Sequence, residues 1–600
     1  MKKTGGRAHE RRIQQVFKRL FYKLLPVQIL IIAMGSINSI VDGAVAGRFI
    51  DAESVGVIGL YYTMINVLAA VSSVLLGGSS ILCGKYMGRG DLKKTESLFS
   101  LNLTVAFLVG VILSAISFLI PGPLANALGA SPSLKEALVS YIRGYGFGII
   151  PMMIAQQVAM FLQLERKSAI GYTGIVAMII SNIVLDIVLV KVFRMGPFGL
   201  ALATSLSSWI YLLILIPYYF TGKAQLKYSL SKIDISQLLP LLKTGFPGAA
   251  LVFYLAVRAL ALNIILLKYA GSDGLSAQGA FGMVSGLEVA VCLGVGSVVR
   301  MMSSVLIGEE DRDGLRAVMK TALSKGMILS VVVAAVSALL SGPLTSIFFA
   351  DKSTHVYLIT KQLFLIYALC MPLIMLIQIF NNYLHASGHN LFVNLLSFLD
   401  GFLAVVVPAL ILARLLGAFG VWISHPTGLC IIMISIFAYA WLFNRRFPSC
   451  LDDWLFLRKD FGVSDDDRLE LVVESMDAAL STSEKVQDFC TRHALPQKTC
   501  VFAALSIEEM AGNVVRHGFS ADSKEHQVIV SVVLKNDSLL LRIKDDCIPF
   551  DPKDRASQFS DENPEKNIGI RLVMNLAHDV TYQNLLGLNV LTIRFPVLNQ

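Results

Sequence analysis

The sequence predicts an α-helical polytopic membrane protein of about twelve spans, arranged as two parallel six-helix repeats, with a C-terminal α/β sandwich. Three observations predict it. Hydrophobic residues make up 55% of the 600 residues and charged residues only 16%, and the mean hydropathy is +0.66, values foreign to soluble domains. About twelve apolar runs lie between residues 24 and 443, each near the roughly 20 residues that cross a hydrocarbon core. Charge is also divided. Residues 451–600 hold 24 acidic and 16 basic side chains, although the whole chain carries +9. A basic membrane part joined to an acidic tail implies two domains in different surroundings.

The basic residues set the orientation. Residues 1–23 are rich in Lys and Arg, and further clusters follow at Lys85–Lys94, Arg166–Lys167, Lys223–Lys243 and Arg445–Arg446. By the positive-inside rule these ends face the cytoplasm, which predicts an inner (plasma) membrane protein with both termini cytoplasmic. The same rule makes the overall basicity a property of loops at a lipid bilayer, and no nucleic-acid partner is expected. The eight cysteines are scattered without a CxxC. They read as thiols in a reducing compartment, neither disulfides nor zinc ligands.

The membrane part repeats. Pro26 and Pro247, Gly122-Pro123-Leu124 and Gly342-Pro343-Leu344, Pro151 and Pro372, and Gly196 and Gly417 are all separated by 220 or 221 residues. An offset of six spans makes the halves parallel repeats, the layout of a transporter that rocks about a central cavity. The expected division is a membrane part over 1–447, with repeats at about 15–222 and 236–445. A linker over 448–467 and a soluble domain over 468–600 follow.

Inside the spans, charge is expensive and marks function. The run from Gly171 to Val190 carries a single acid, Asp186, with Asn182 four residues before it, so both lie on one helical face. At the repeat offset Asp42 maps to Asn263 and Asp186 to Val407. A coupling cation is therefore expected in the first half. In the second half Arg258 and Glu288 are read as a possible pair, structural or substrate-binding. His425 beside Pro426 is read as a packed residue at a helix break.

The segments VDGAVAGRF (41–49) and GKYMGRGDLKKT (84–95), with the opening stretch, resemble the multidrug and toxic compound extrusion (MATE) family over about residues 15–445. That resemblance implies exchange of H⁺ or Na⁺ for small organic, often cationic, compounds. It implies a cation-coupling site of Asp42, Asn182, Asp186 and Thr204. Two acids, an amide and a hydroxyl make an oxygen-rich set suited to a cation.

The tail carries three motifs. Glu508-Glu509-Met510-Ala511-Gly512-Asn513 continues to His517, with Glu509, Asn513 and His517 spaced by four. A carboxylate and an amide one turn apart suit Mg²⁺ and an activated nucleophile. Lys544-Asp545-Asp546-Cys547 closes a strand, and Asn567-Ile568-Gly569 opens a helix, whose N-terminus suits phosphate. In this order the motifs resemble the GHKL ATP-binding superfamily (the Bergerat fold), and within it the anti-sigma-factor serine kinases. The resemblance implies ATP and Mg²⁺ as cofactors and Glu509 as general base. It implies Asn513 as Mg²⁺ ligand, Asp545 at adenine, Gly569 at the phosphates and Thr592 supporting adenine. Residues 550–566 would form a lid. Cys547 and Asn567 stand where that pattern has glycines.

The expected function is ion-coupled efflux regulated by the ATP-binding tail. The alternatives are a membrane-tethered serine kinase or signalling protein whose transporter-like part senses a ligand and whose target is a small cytosolic phospho-acceptor protein, and, more remotely, a lipid or polysaccharide flippase.

Overall fold

The computed structural model describes residues 2–597 apart from 51, 129–131, 166, 223, 350, 459–460, 520–525, 536–537, 550, 553–567 and 586. Among the described residues, twelve helices are long and apolar enough to cross a membrane. In the first half these belong to α1 (Lys2–Phe49), α2 (Ala52–Gly88), α3 (Leu92–Leu119), α4 (Pro132–Leu164), α5 (Ser168–Val192) and α6 (Gly196–Phe220). In the second they are α7 (Ile235–Gly271), α8 (Val284–Glu309), α9 (Arg312–Phe348), α10 (His355–Ser387), α11 (Asn390–Leu416) and α12 (Ala418–Asn444). Leu119, Phe220 and Leu391 are 80%, 84% and 89% exposed. Side chains of this kind turned outward are a liability in water and a requirement in hydrocarbon.

The repeat read from sequence spacing is present in three dimensions. Gly196 (φ 57°) and Gly417 (φ 59°) occupy left-handed backbone at the entries to α6 and α12, a conformation open to glycine. Asp91 and Asp311 cap α3 and α9 alike, each accepting a backbone N–H three residues on. Each lobe has its own apolar core, around Tyr61, Tyr141 and Leu200 in the first and Phe281, Phe364 and Trp422 in the second.

The lobes meet along α2 and α8. A Cβ on Gly88 would lie 2.8 Å from the Glu309 backbone nitrogen, and one on Gly308 would lie 2.8 Å from the Lys85 Cα. Glycine here lets two backbones touch, as small residues do between membrane helices.

The soluble part is one antiparallel sheet of β1 (Arg468–Val473), β2 (Val528–Lys535), β3 (Ser538–Asp545), β4 (Asp579–Leu585) and β5 (Leu588–Pro596), in the order β1-β2-β3-β5-β4. The helices α13 (Met476–Arg492), α14 (Gln497–Asn513) and α15 (Ile568–Leu576) accompany it. Strand β4 is absent from the sequence expectation. Its buried residues are Val580 on one face and Gln583 and Leu585 on the other, and a buried glutamine with apolar residues on both faces blurs the alternation that marks a strand.

Alternation divides the sheet into two faces. Val530, Leu541, Ile543 and Ile593 pack in the domain core. The other face turns to the membrane helices, where Ile529, Leu588 and Val590 join a core containing Phe17, Met302 and Leu306. Lys544 is 5% exposed, and its Nζ lies 2.6 Å from Glu309 and 3.0 Å from Asp311. Arg468 bonds Asp311 at 3.0 Å, Lys535 bonds Glu310 at 2.7 Å, and Arg542 donates to the Glu309 carbonyl at 2.6 Å. Burial works against the charge on Asp311, but Lys544 and Arg468 outweigh it and hold its carboxyl below the ordinary range. For Lys544, burial is outweighed by Glu309 and Asp311, which raise its ammonium.

A depressed acid contributes stability above its unfolded pKa and loses it as pH falls through the folded value. A raised ammonium contributes below its unfolded pKa and loses it as pH rises through the folded value. With unfolded values of about 4 and about 10, docking is expected to be flat from about pH 5 to pH 9, measured by amide exchange of residues 309–313. Lys544→Met leaves the buried Glu309 carboxylate without its cation and Asp311 with Arg468 alone. It is expected to weaken docking by about 3–5 kcal/mol, read as faster exchange in that loop. Arg316→Ala, at a half-exposed pair with Asp452, is expected to cost about 1 kcal/mol or less.

Candidate functional site

Asp42 on α1, Asn182 and Asp186 on α5, and Thr204 on α6 come together inside the first lobe. All four are buried. Thr204 Oγ1 donates to Asp42 Oδ2 at 3.4 Å, and Asn182 Nδ2 donates to Thr204 Oγ1 at 3.4 Å. Asp186 lies beside Asp42, close enough for the carboxyls to interact directly. Among the described residues, Asp42 Oδ1, both Asp186 carboxyl oxygens and Asn182 Oδ1 find no hydrogen-bond donor. Buried carboxyl oxygens without donors are costly unless a proton or a cation visits them. The arrangement can therefore take up one or the other.

Around these groups stands a tyrosine cluster that sequence reasoning missed. The Tyr61 ring centroid lies 5.1 Å from that of Tyr141 and 4.8 Å from that of Tyr145. Tyr141 and Tyr145 reach the field of Asp42. Their spacing of four on α4 was the available signal.

The second lobe differs. Arg258 donates to the Asp400 backbone carbonyl at 2.9 Å, whereas Glu288 accepts from Ser337 at 2.5 Å. Arg258 and Glu288 thus have separate partners and are not a pair. The Asp400 carboxyl is the acid near Arg258. His425 packs edge-on against Tyr367 with centroids 5.9 Å apart. Between the lobes lies a cavity of about 160 Å³ lined by Gln28, Gln156, Gln163 and Arg300. Arg300 Nε is buried and finds no acceptor among the described residues.

In the soluble domain, Glu509 and Asn513 lie one turn apart on α14, both half-buried. The helix passes into a wider π turn over Val514–Gly518, and His517 is exposed, so it leaves the face that Glu509 and Asn513 share. Asp545 ends β3 on the core-facing side, where Oδ1 accepts from Asn589 Nδ2 at 2.6 Å and from the Cys547 backbone N–H at 3.0 Å. An amide and a carboxylate one turn apart, half-buried with surface still open, fit Mg²⁺ with a bound phosphate. Thr592 pairs with Arg542 in the sheet register and so shares the side that faces the membrane helices. It does not join Asp545. Gly569 lies in the first turn of α15. Asn567 and nearly all of the expected lid lie outside the described residues.

Comparison with known proteins agrees with this architecture. The MatE family model matches residues 10–190 and 247–410, and the histidine kinase-like ATPase domain model matches residues 475–595. The probable multidrug resistance protein YoeA of Bacillus subtilis is 22% identical over 435 residues, 71% of this chain and 93% of that protein. The multidrug export protein MepA of Staphylococcus aureus is 23% identical over 445 residues, 71% and 94% of the two chains. The Vibrio cholerae MATE transporter VcmN in its bent form superposes with a TM-score of 0.66 at 15% identity, covering 74% of this chain and 100% of that one. A MOP-superfamily transporter from Pyrococcus furiosus gives 0.66 at 18%, covering 72% and 96%. With its family model spread over more than half of its length, the chain belongs to the MatE family, and its tail is a histidine kinase-like ATPase domain.

Proposed function

We propose that this chain is an ion-coupled efflux antiporter of the inner membrane with both termini in the cytoplasm. It would exchange H⁺ or Na⁺ for small organic compounds. The observation that carries the reading is the set of buried oxygens on Asp42, Asn182 and Asp186 that lack donors among the described residues. A proton or sodium ion arriving there removes the cost of the charge. The bond from Thr204 to Asp42 ties α6 to α1, so occupancy would be felt where α1 carries Pro26 inside its helix. A cationic compound, the class the resemblance implies, would find its carboxylates in the first lobe. The between-lobe cavity offers glutamine amides and Arg300 instead.

In the same reading the tail binds ATP with Mg²⁺ through Glu509, Asn513, Asp545 and Gly569 and regulates transport. Its sheet favours regulation over signalling to a separate phospho-acceptor protein. Asp545 faces the nucleotide side, while its neighbour Lys544 holds the α8–α9 loop.

The test is substrate uptake into inverted vesicles under an imposed pH or sodium gradient. Uptake is expected only with one of the gradients. In Asp186→Asn it should fall about tenfold or more, the scale of a lost coupling interaction, with nucleotide binding intact. Gradient-driven uptake unchanged in Asp186→Asn would sink the coupling reading. No uptake in the parent, together with phosphotransfer to a small partner protein, would favour the kinase reading.

For the tail, Asn513→Ala is expected to abolish Mg²⁺-dependent nucleotide binding by the full-length protein. Thr592→Ala, on the opposite sheet face, should leave it unchanged. Calorimetry on both variants checks the assignment.

A further inference from the structure

One cluster in the soluble domain has no part in the reading above. His526 precedes β2, and Asp546 and Cys547 follow β3. The His526 ring nitrogens, the Asp546 carboxylate and the Cys547 sulfur offer ligand atoms that all lie within 4.8 Å of one another. His526 is 9% exposed and Cys547 2%. His526 Nδ1 lies 2.9 Å from Asp546 Oδ1. The opposite oxygen of Asp546 faces Arg19 of α1 at 4.0 Å.

We propose that His526, Asp546 and Cys547 form a binding site for a borderline transition-metal cation of the Zn²⁺ class. An imidazole, a carboxylate and a thiolate are the donor types that Zn²⁺ takes, and three protein ligands leave a fourth position for water. Ligand atoms on a tetrahedral zinc stand roughly 3.5 Å apart, so binding requires a contraction of about 1 Å across the cluster. That movement joins two turns at the same end of adjacent strands. Ligation releases the thiol proton to solvent and uses neutral imidazole. Asp546 can place one oxygen on the metal and keep the other toward Arg19.

The position has a consequence for the neighbouring turn. The Cys547 backbone N–H bonds Asp545, and the Cys547 carbonyl accepts from Asn589 Nδ2 at 3.1 Å. A metal on the Cys547 sulfur pins this turn and with it the orientation of Asp545. The metal site itself stands without any assignment of a nucleotide to Asp545.

The experiment uses the metal-free full-length protein in detergent, titrated with Co²⁺ and then with Zn²⁺. The parent is expected to develop a thiolate-to-cobalt charge-transfer band that saturates at one equivalent and is displaced by Zn²⁺. Cys547→Ser should lose the band, and His526→Ala should weaken binding more than about tenfold. Zn²⁺ should slow amide exchange over residues 545–548 in the parent and not in Cys547→Ser. Cys430→Ser and Cys450→Ser, at the exposed cysteines, should keep the band. Absence of the band in the parent, its survival in Cys547→Ser, or exchange indifferent to Zn²⁺ would overturn the proposal.

Discussion

The contact between the two domains centres on one ammonium group removed from water. Lys544 reaches from β3 into the α8–α9 loop and meets two carboxylates there. Pairs of this kind contribute little net free energy compared with an apolar contact, but losing one partner is severe because the other charge stays buried. The junction is therefore specific rather than adhesive. Around it the apolar residues Leu588 and Val590 of the sheet and Leu306 of α8 complete the contact. The neighbouring cavity of about 590 Å³ keeps the remaining arginines of both parts, Arg89, Arg312 and Arg594 among them, in reach of water.

In the membrane the two lobes satisfy charge in different ways. The first lobe sets two acids side by side and supplies an amide and a hydroxyl, fewer donors than the oxygens can take. The second lobe places Arg258 beside Asp400 and gives its guanidinium a backbone carbonyl. A lobe with opposite charges in proximity has little to gain from an arriving cation, whereas a lobe with two acids has much to gain. Similar backbones thus carry unlike chemistry, two neighbouring acids in the first lobe and an arginine near an acid in the second.

Much of this was legible in the sequence because the membrane imposes long apolar runs and makes every exception conspicuous. Asp42, Asn182 and Asp186 are conspicuous for that reason, and the repeat offset alone matches Gly196 to Gly417, whereas Thr204 is marked only by the family resemblance. Side chains whose roles depend on a distant neighbour were hidden. Nothing local distinguishes Asp400 from a lone acid, and Glu288 looked like a partner for Arg258 only because partners were scarce. In the tail, Thr592 was placed by motif order alone. One residue of register decides which sheet face a side chain occupies, and the pairing of Thr592 with Arg542 and of Asp545 with Asn589 puts the two on opposite sides. His526 and Cys547 are too far apart in the chain for any metal-ligand spacing rule to join them. The antiparallel pairing of β2 with β3 brings them together.

The same pairing geometry bears on how the tail can act on the transporter. At the end that carries the soluble domain, α2 and α8 touch backbone to backbone at Gly88 and Gly308. The loops that follow these helices both end against the sheet. The α8–α9 loop is bound by Lys544, Arg468 and Lys535. On the α2–α3 side, a Cβ on Gly90 would stand 3.3 Å from Thr581 Oγ1 of β4. One rigid sheet therefore spans loops from opposite lobes. Packed elements exchange between discrete arrangements and do not deform continuously. For the lobes to part at this end, the sheet must release one loop or tilt with it. The contact at Lys544 is ionic and buried, and on the first-lobe side α1 adds Phe17 and Leu20 to the shared apolar core and faces Asp546 with Arg19, so the sheet is tied to both lobes and a movement of either must be carried through it.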